Sequence, residues 1–374
     1  MKTCCFPHQP KAQIEIRVRP IIKESGCADE TFSLNPFVNL KSKSMETEST
    51  FIGIDISKAT LDCCIQPPPP ARPKTTRIAN EPKAIIRLLS AAMDNVSENH
   101  NIILAMENTG RYNWPLFQVL ANMKAVKVYV LCPLALKRSL GLVRGKSDQI
   151  DALRICSYIQ NNYRKLAVWT PPSPSIVKLR VLLSEREARI KTIKEVKSRL
   201  CEYGSMQYWA LSDSLTRLAH QELSDLQAQV KEVEALIGAL VAADPALVAQ
   251  AELVRSVQGA GKVLCWYILA KTEGFTILTE PRKMACMAGV APYDYGSGTS
   301  IKARPQVSVY ADKKLKSLLH MAALSAIRLK GELRDYYLRK VAEGKSKMSV
   351  INAVRNKIIH RIYAVVAHNQ PYKP

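Results

Sequence analysis

Phe51-Ile52-Gly53-Ile54-Asp55-Ile56-Ser57-Lys58 is the stretch that decides the fold. Its first six residues are apolar except for Gly53 and Asp55, the pattern of a strand buried on both faces. A second short strand, Leu61–Ile65, follows and ends at the proline-rich break that begins at Gln66. Beyond the break the pattern predicts a helix over Pro82–Met93, a strand at Ile102–Met106, a helix over Asn113–Met123, a strand at Val126–Cys132 and a helix over Ser147–Asn161. Strands alternating with helices imply an α/β layer around a largely buried sheet, here spanning residues 49–168.

The whole chain has 374 residues, enough for two or three domains, and 47% of them are hydrophobic, enough for real cores. Lys and Arg number 54 against 32 Asp and Glu, a net charge of 54 − 32 = +22. Such a surplus points to a polyanionic partner, because basic side chains gain affinity by releasing counterions from a phosphate backbone. Aromatic residues make up only 6%, which favours grip on the backbone over stacking on bases. Apolar runs long enough to span a membrane are absent, and the start, MKTCCFPHQPK, lacks the apolar core of a signal peptide; a cytoplasmic protein is expected. The ten cysteines form no C-x-x-C pair and read as reduced thiols filling cores.

Residues 1–48 mix Pro, Ser, Lys and Asn with one short alternating run, and read as a disordered extension, or as the product of a start placed upstream of Met45. After Trp169-Thr-Pro-Pro-Ser-Pro, apolar residues recur at helical spacing from Leu179 to Leu240, with an interruption around Tyr203–Trp209. That predicts two long antiparallel helices or a coiled-coil arm over 175–245, suited to making a dimer or tetramer. A last unit, 251–367, opens on a hairpin whose turn holds Gly259 and Gly261, either an anion-binding turn or an ordinary helix junction. A polar loop is expected from Tyr293 to Ser300, then helices at Ala311–Leu329 and Ser349–Ala367. Across 296–361 there are 15 Lys/Arg and 4 Asp/Glu, so +11, half the net charge in about a sixth of the chain.

Three constellations carry chemistry. Asp55 lies inside an apolar strand and needs a compensating metal ion, Arg or Lys. Glu107 stands where a strand ends and the turn Asn108-Thr-Gly-Arg111 begins, the usual site position in open α/β sheets. Asp148 and Asp151, three apart, share one face of a first helical turn. Four hard carboxylates so distributed suit two Mg²⁺ ions about 4 Å apart, the arrangement of phosphoryl transfer. Lys302, Arg304, Lys313, Lys314, Lys316 and Arg355 are candidate phosphate contacts in the basic unit.

With GIDISK at 53–58, ENTGRY at 107–112, RGKSDQIDA at 144–152, GAG at 259–261, AGVAP at 288–292 and SG at 297–298, the chain resembles the DEDD-type transposases of insertion-sequence family 110, relatives of Piv- and MooV-type DNA invertases. The resemblance runs from about residue 49 to 367. It implies an RNase H-like (RuvC-like) α/β domain carrying the metal-binding tetrad Asp55, Glu107, Asp148 and Asp151, a mostly helical coiled-coil middle and a C-terminal transposase domain. It further implies a serine nucleophile at Ser297, with Ser300 as the second choice, and guidance by a structured RNA. Where relatives carry a basic residue, Gly, Asn and Arg after the serine strand, this chain has Val309, Ala311, Asp312 and Lys316. The other activities expected of these residues are a Holliday-junction resolvase-like Mg²⁺-dependent nuclease and a catalytically inactive nucleic-acid-binding remnant.

Overall fold

A computed structural model of the chain describes residues 48–94, 100–139, 147–205, 211–297, 301–308 and 310–373, without the side chains of 211–212, 294–297 and 301–306. The readings of residues 1–44 and Met45 lie outside the described residues, as does most of the Tyr203–Trp209 interruption.

The buried stretch is strand β1 (Ser49–Ile56), central in a five-stranded sheet. It is followed by β2 (Thr60–Gln66), β3 (Lys74–Ala79), α1 (Pro82–Met93), β4 (Asn101–Glu107), α2 (Trp114–Leu120), β5 (Val126–Leu131), α3 (Pro133–Ser139) and α4 (Asp148–Asn162). The sheet order is β3-β2-β1-β4-β5, with β1–β2 and β2–β3 antiparallel and β1–β4 and β4–β5 parallel. Alternation sorts the side chains of β1 cleanly. Ile52, Ile54 and Ile56 pack with Ile85 and Leu89 of α1 and Leu116 of α2 on one face. Phe51 packs on the other with Ala152, Ile155, Cys156 and Ile159 of α4. This mixed sheet between helical layers is compatible with an RNase H-like α/β fold.

Trp169 ends the layer by donating its backbone N–H to Val128 O at 2.7 Å and stacking on Phe117, ring centroids 4.8 Å apart. Two 32-residue helices follow, α5 (Pro174–Ser205) and α6 (Leu211–Ala242). They run antiparallel, cross-linked by Arg186–Glu234 and Arg199–Glu222, each at 2.7 Å. Then come α7 (Pro245–Ser256), α8 (Lys262–Thr272), α9 (Pro281–Met287), β6 (Tyr293–Ser297), β7 (Ile301–Gln306), α10 (Lys313–Ala326), α11 (Glu332–Ala342) and α12 (Lys347–His368). The helical hairpin is rooted in this last unit. Ile176 and Leu179 of α5 and Val233, Ile237 and Val241 of α6 share one core with Leu264, Leu319, Val354 and Ile358.

Three expectations change. The edge strand β3 lies between the proline-rich break and α1, where the sequence pattern marks no element. The expected polar loop at 293–300 is in part a strand, paired with β7 in a hairpin. Between the two expected C-terminal helices, seen as α10 and α12, lies a further helix, α11, set off from α10 by Gly331 at φ 142°. Gly259, at φ 90°, lies where a Cβ would stand 2.4 Å from Ala322 O, so the glycine turn serves close helix packing on α10.

Candidate active site

The antiparallel register of β1 and β2 sets Asp55 opposite Asp62, and that of β2 and β3 sets Asp62 opposite Arg77. Glu107 follows Met106, the partner of Ile54 in the parallel β1–β4 pair, and so extends the same row on the far side of Asp55. Arg77, Asp62, Asp55 and Glu107 therefore cross four strands on the face that α4 covers.

Helix α4 completes the site from above. Ser147 caps it, its Oγ accepting from Ile150 N at 3.3 Å, so Asp148 is the first helical residue and Asp151 lies one turn on. Gly53 brings the helix down onto the strand. A Cβ there would stand 2.4 Å from both Ala152 O and Cys156 N, so only glycine allows this approach two residues from Asp55.

Electrostatics show the four carboxylates sharing one field. Burial, followed by Asp151, Asp148 and Glu107, raises Asp55 from its ordinary 3.8 to about 6. Burial, then Asp151, also raises Glu107. Among the described residues, no Lys or Arg forms an ion pair with Asp55 or Glu107. Asp151 is paired to Arg154 at 2.7 Å, and Asp148 to Arg77 at 3.4 Å. No group of three or more His, Cys, Asp or Glu side chains stands at metal-ligating distance among the described residues. The donor set still fits a hard divalent cation: it is all carboxylate oxygen, and Asp55 bears an uncompensated charge that such an ion would relieve. Sequence reasoning missed Asp62 and Arg77. The alternating Asp62 and Arg77 positions become visible only once β2 and β3 are paired.

After Glu107 the chain turns around the fully buried Asn113, whose Oδ1 accepts from Thr109 N at 3.0 Å and whose Nδ2 donates to Glu107 O at 3.0 Å. Asn80 Nδ2 donates to Ser57 O and Tyr112 O, each at 3.0 Å, tying the loops after β1 and β4 together beside the tetrad.

The other candidates fall in the C-terminal unit. The backbone of Ser297 ends β6 opposite Ile301, and Ser300 lies outside the described residues, as do the side chains of Ser297, Lys302 and Arg304. Lys313 is exposed, Lys316 is half-buried, and Lys314 is paired with Glu187 of α5. Arg355 corrects an expectation. It is 6% exposed, with its guanidinium 2.6 Å from His320 Nδ1 and 3.4 Å from Asn352 Oδ1, and it faces a helix interface instead of solvent. Asp312 caps α10, accepting from Leu315 N at 2.9 Å, and is neutralised by Lys271 Nζ at 2.9 Å. Its carboxyl is held below the ordinary range by the Leu315 N–H and Lys271, against the opposing effect of burial, so the Asp at this position brings no free negative charge.

Residues 52–203 match the family model described as a DEDD transposase of the IS110 type, and 251–338 match that of the transposase IS116/IS110/IS902 family. Over 339 residues the chain is 29% identical to pilin gene-inverting proteins of Moraxella lacunata and Moraxella bovis, covering 86% of this chain and 97% of each relative. It is 28% identical over 159 residues, 42% of this chain and 38% of the relative, to an uncharacterized 44.8 kDa protein of insertion element IS116 from Streptomyces clavuligerus. Two models of one family, the first reaching into α5 and the second beginning in α7, and likeness to two gene-inverting proteins over nearly their full length lead to one conclusion: the chain belongs to the IS110 family of DEDD transposases and DNA invertases, recombinase-type enzymes acting on DNA.

Proposed function

We propose that this enzyme cuts and rejoins DNA through a two-part site: the tetrad Asp55, Glu107, Asp148 and Asp151 on an RNase H-like sheet, and a serine nucleophile, Ser297, on the β6–β7 hairpin. The observation that carries this reading is the gathering of carboxylates from β1, β4 and α4 on one sheet face, where three of them raise the proton affinity of the fourth. Mg²⁺ bound by the tetrad would supply charge neutralisation at the phosphate and at the leaving oxygen. The Ser297 Oγ would attack phosphorus, forming an Oγ–P bond as the P–O bond to the leaving sugar oxygen breaks. Its proton passes to solvent base, and the leaving oxygen takes up a proton. The phosphoserine link conserves the bond for rejoining, as hydrolysis cannot. Likeness to pilin gene-inverting proteins over nearly their full length favours rejoining over simple resolvase-like cleavage or an inert remnant.

A structured guide RNA, cytoplasmic action on nucleoid DNA and the coiled-coil assembly belong to the same proposal. The basic C-terminal unit, +11 over 296–361, supports an extended nucleic-acid contact. Leu215 and Leu218, exposed on α6, support assembly of the 175–245 arm into a dimer or tetramer. Trapping the protein on labelled donor DNA tests the mechanism: a protein–DNA adduct is expected in wild type and lost in Ser297→Ala. Full strand transfer by Ser297→Ala would overturn Ser297 as nucleophile.

A further inference from the structure

Asp62 is a fifth carboxylate at the site, only 1% exposed, and the tetrad does not include it. A charge so buried is costly unless paired. Its partner is Arg77, whose Nε donates to Asp62 Oδ1 at 3.0 Å and Oδ2 at 3.1 Å. The same guanidinium then turns outward. Its Nη2 reaches Asp148 Oδ2 at 3.4 Å, across 71 residues of chain and from a different layer of the fold. Both ends of that second contact are about half exposed, Arg77 at 51% and Asp148 at 50%, so Asp148 is not held by burial.

We propose that Arg77 is a positioning residue of the acidic site: anchored on Asp62, its fixed fork selects the orientation of the Asp148 carboxylate. The planar guanidinium can hold two carboxylates at once at a set angle, which a lysine ammonium on its flexible stem cannot. Arg77 contacts only one oxygen of Asp148, which leaves the other oxygen turned away from the fork. The device places a rigid support behind an exposed ligand, the function that outer partners serve for metal-holding carboxylates. This role rests on the tetrad being the metal-holding site proposed above.

Titration of the full-length protein with Mn²⁺, followed by loss of the free-ion paramagnetic resonance signal, measures affinity without turnover. Arg77→Lys keeps Asp62 neutralised but loses the fork, so the expected result is an unchanged melting temperature with Mn²⁺ affinity weaker by about tenfold. Asp62→Asn frees Arg77 from its anchor and is expected to weaken Mn²⁺ binding in the same direction. It alone decides the matter if Arg77→Lys does not fold. Wild-type affinity in the folded variants overturns the role of Arg77, and so does tighter binding, which would make Arg77 a competitor for Asp148. A wild-type protein that takes up no Mn²⁺ overturns the metal reading of the tetrad itself and Arg77's role with it, an outcome distinct from the other two.

Discussion

Asp55 is a carboxylate that the fold keeps against its own electrostatics. Its folded value of about 6 lies above the ordinary 3.8, so the folded chain holds the proton more tightly than the unfolded chain does. Stability therefore rises as pH falls from about 6 toward 4, and the advantage is gone above the folded value. At pH 7 with chelator, Asp55→Asn is expected to stabilise the protein by about 1–2 kcal/mol, a figure discounted for the solvent that screens a half-buried group. Thermal melts from pH 7 to 5 check this: the margin of Asp55→Asn over wild type should shrink as pH falls through about 6 and return as pH is brought back to 7. Arg355 makes the opposite case. Being inside, with its guanidinium on His320, it should cost stability when removed, about 1–3 kcal/mol for Arg355→Ala in denaturant unfolding.

Contacts between elements explain which parts of the site could be read from sequence. β1 and β4 were legible because burial on both faces writes a continuous apolar run, in which Asp55 and Glu107 stand out. β3 was not, because Lys74-Thr-Thr-Arg77-Ile-Ala is a largely exposed edge strand with little apolar periodicity, and so Arg77 went unseen. Gly53 was legible as part of a motif, but not its reason, which is the backbone of α4 lying against it. Gly53→Ala must push that helix off the strand, at a cost of about 1–3 kcal/mol in denaturant unfolding, and an unchanged midpoint would refute the close approach. On α6, Leu215 and Leu218 lie on the exposed side. Sedimentation of a Leu215→Ser/Leu218→Ser variant should show a smaller assembly with an unaltered melting temperature if the arm joins protomers through them.

For the whole molecule the +22 charge acts through its placement. Lys313 stays in solvent, whereas Lys314 is tied to Glu187 and Arg355 is enclosed. Removing Lys313 should reduce the slope of log affinity for DNA against log salt by about 1, while Arg355→Ala leaves that slope unchanged. Filter binding over a salt series separates the two. Composition, periodicity and motif order by themselves determined an α/β layer with carboxylates on two strands and a helix start, a long helical hairpin and a basic helical end. These follow from local burial and spacing, which a chain records residue by residue. Only the tertiary structure decided that Asp62 and Arg77 join the acidic row, that Gly53 seats α4, and that Arg355 is enclosed. Each of these depends on strand register or helix docking between segments far apart in the chain, and no local pattern encodes which neighbour a side chain meets.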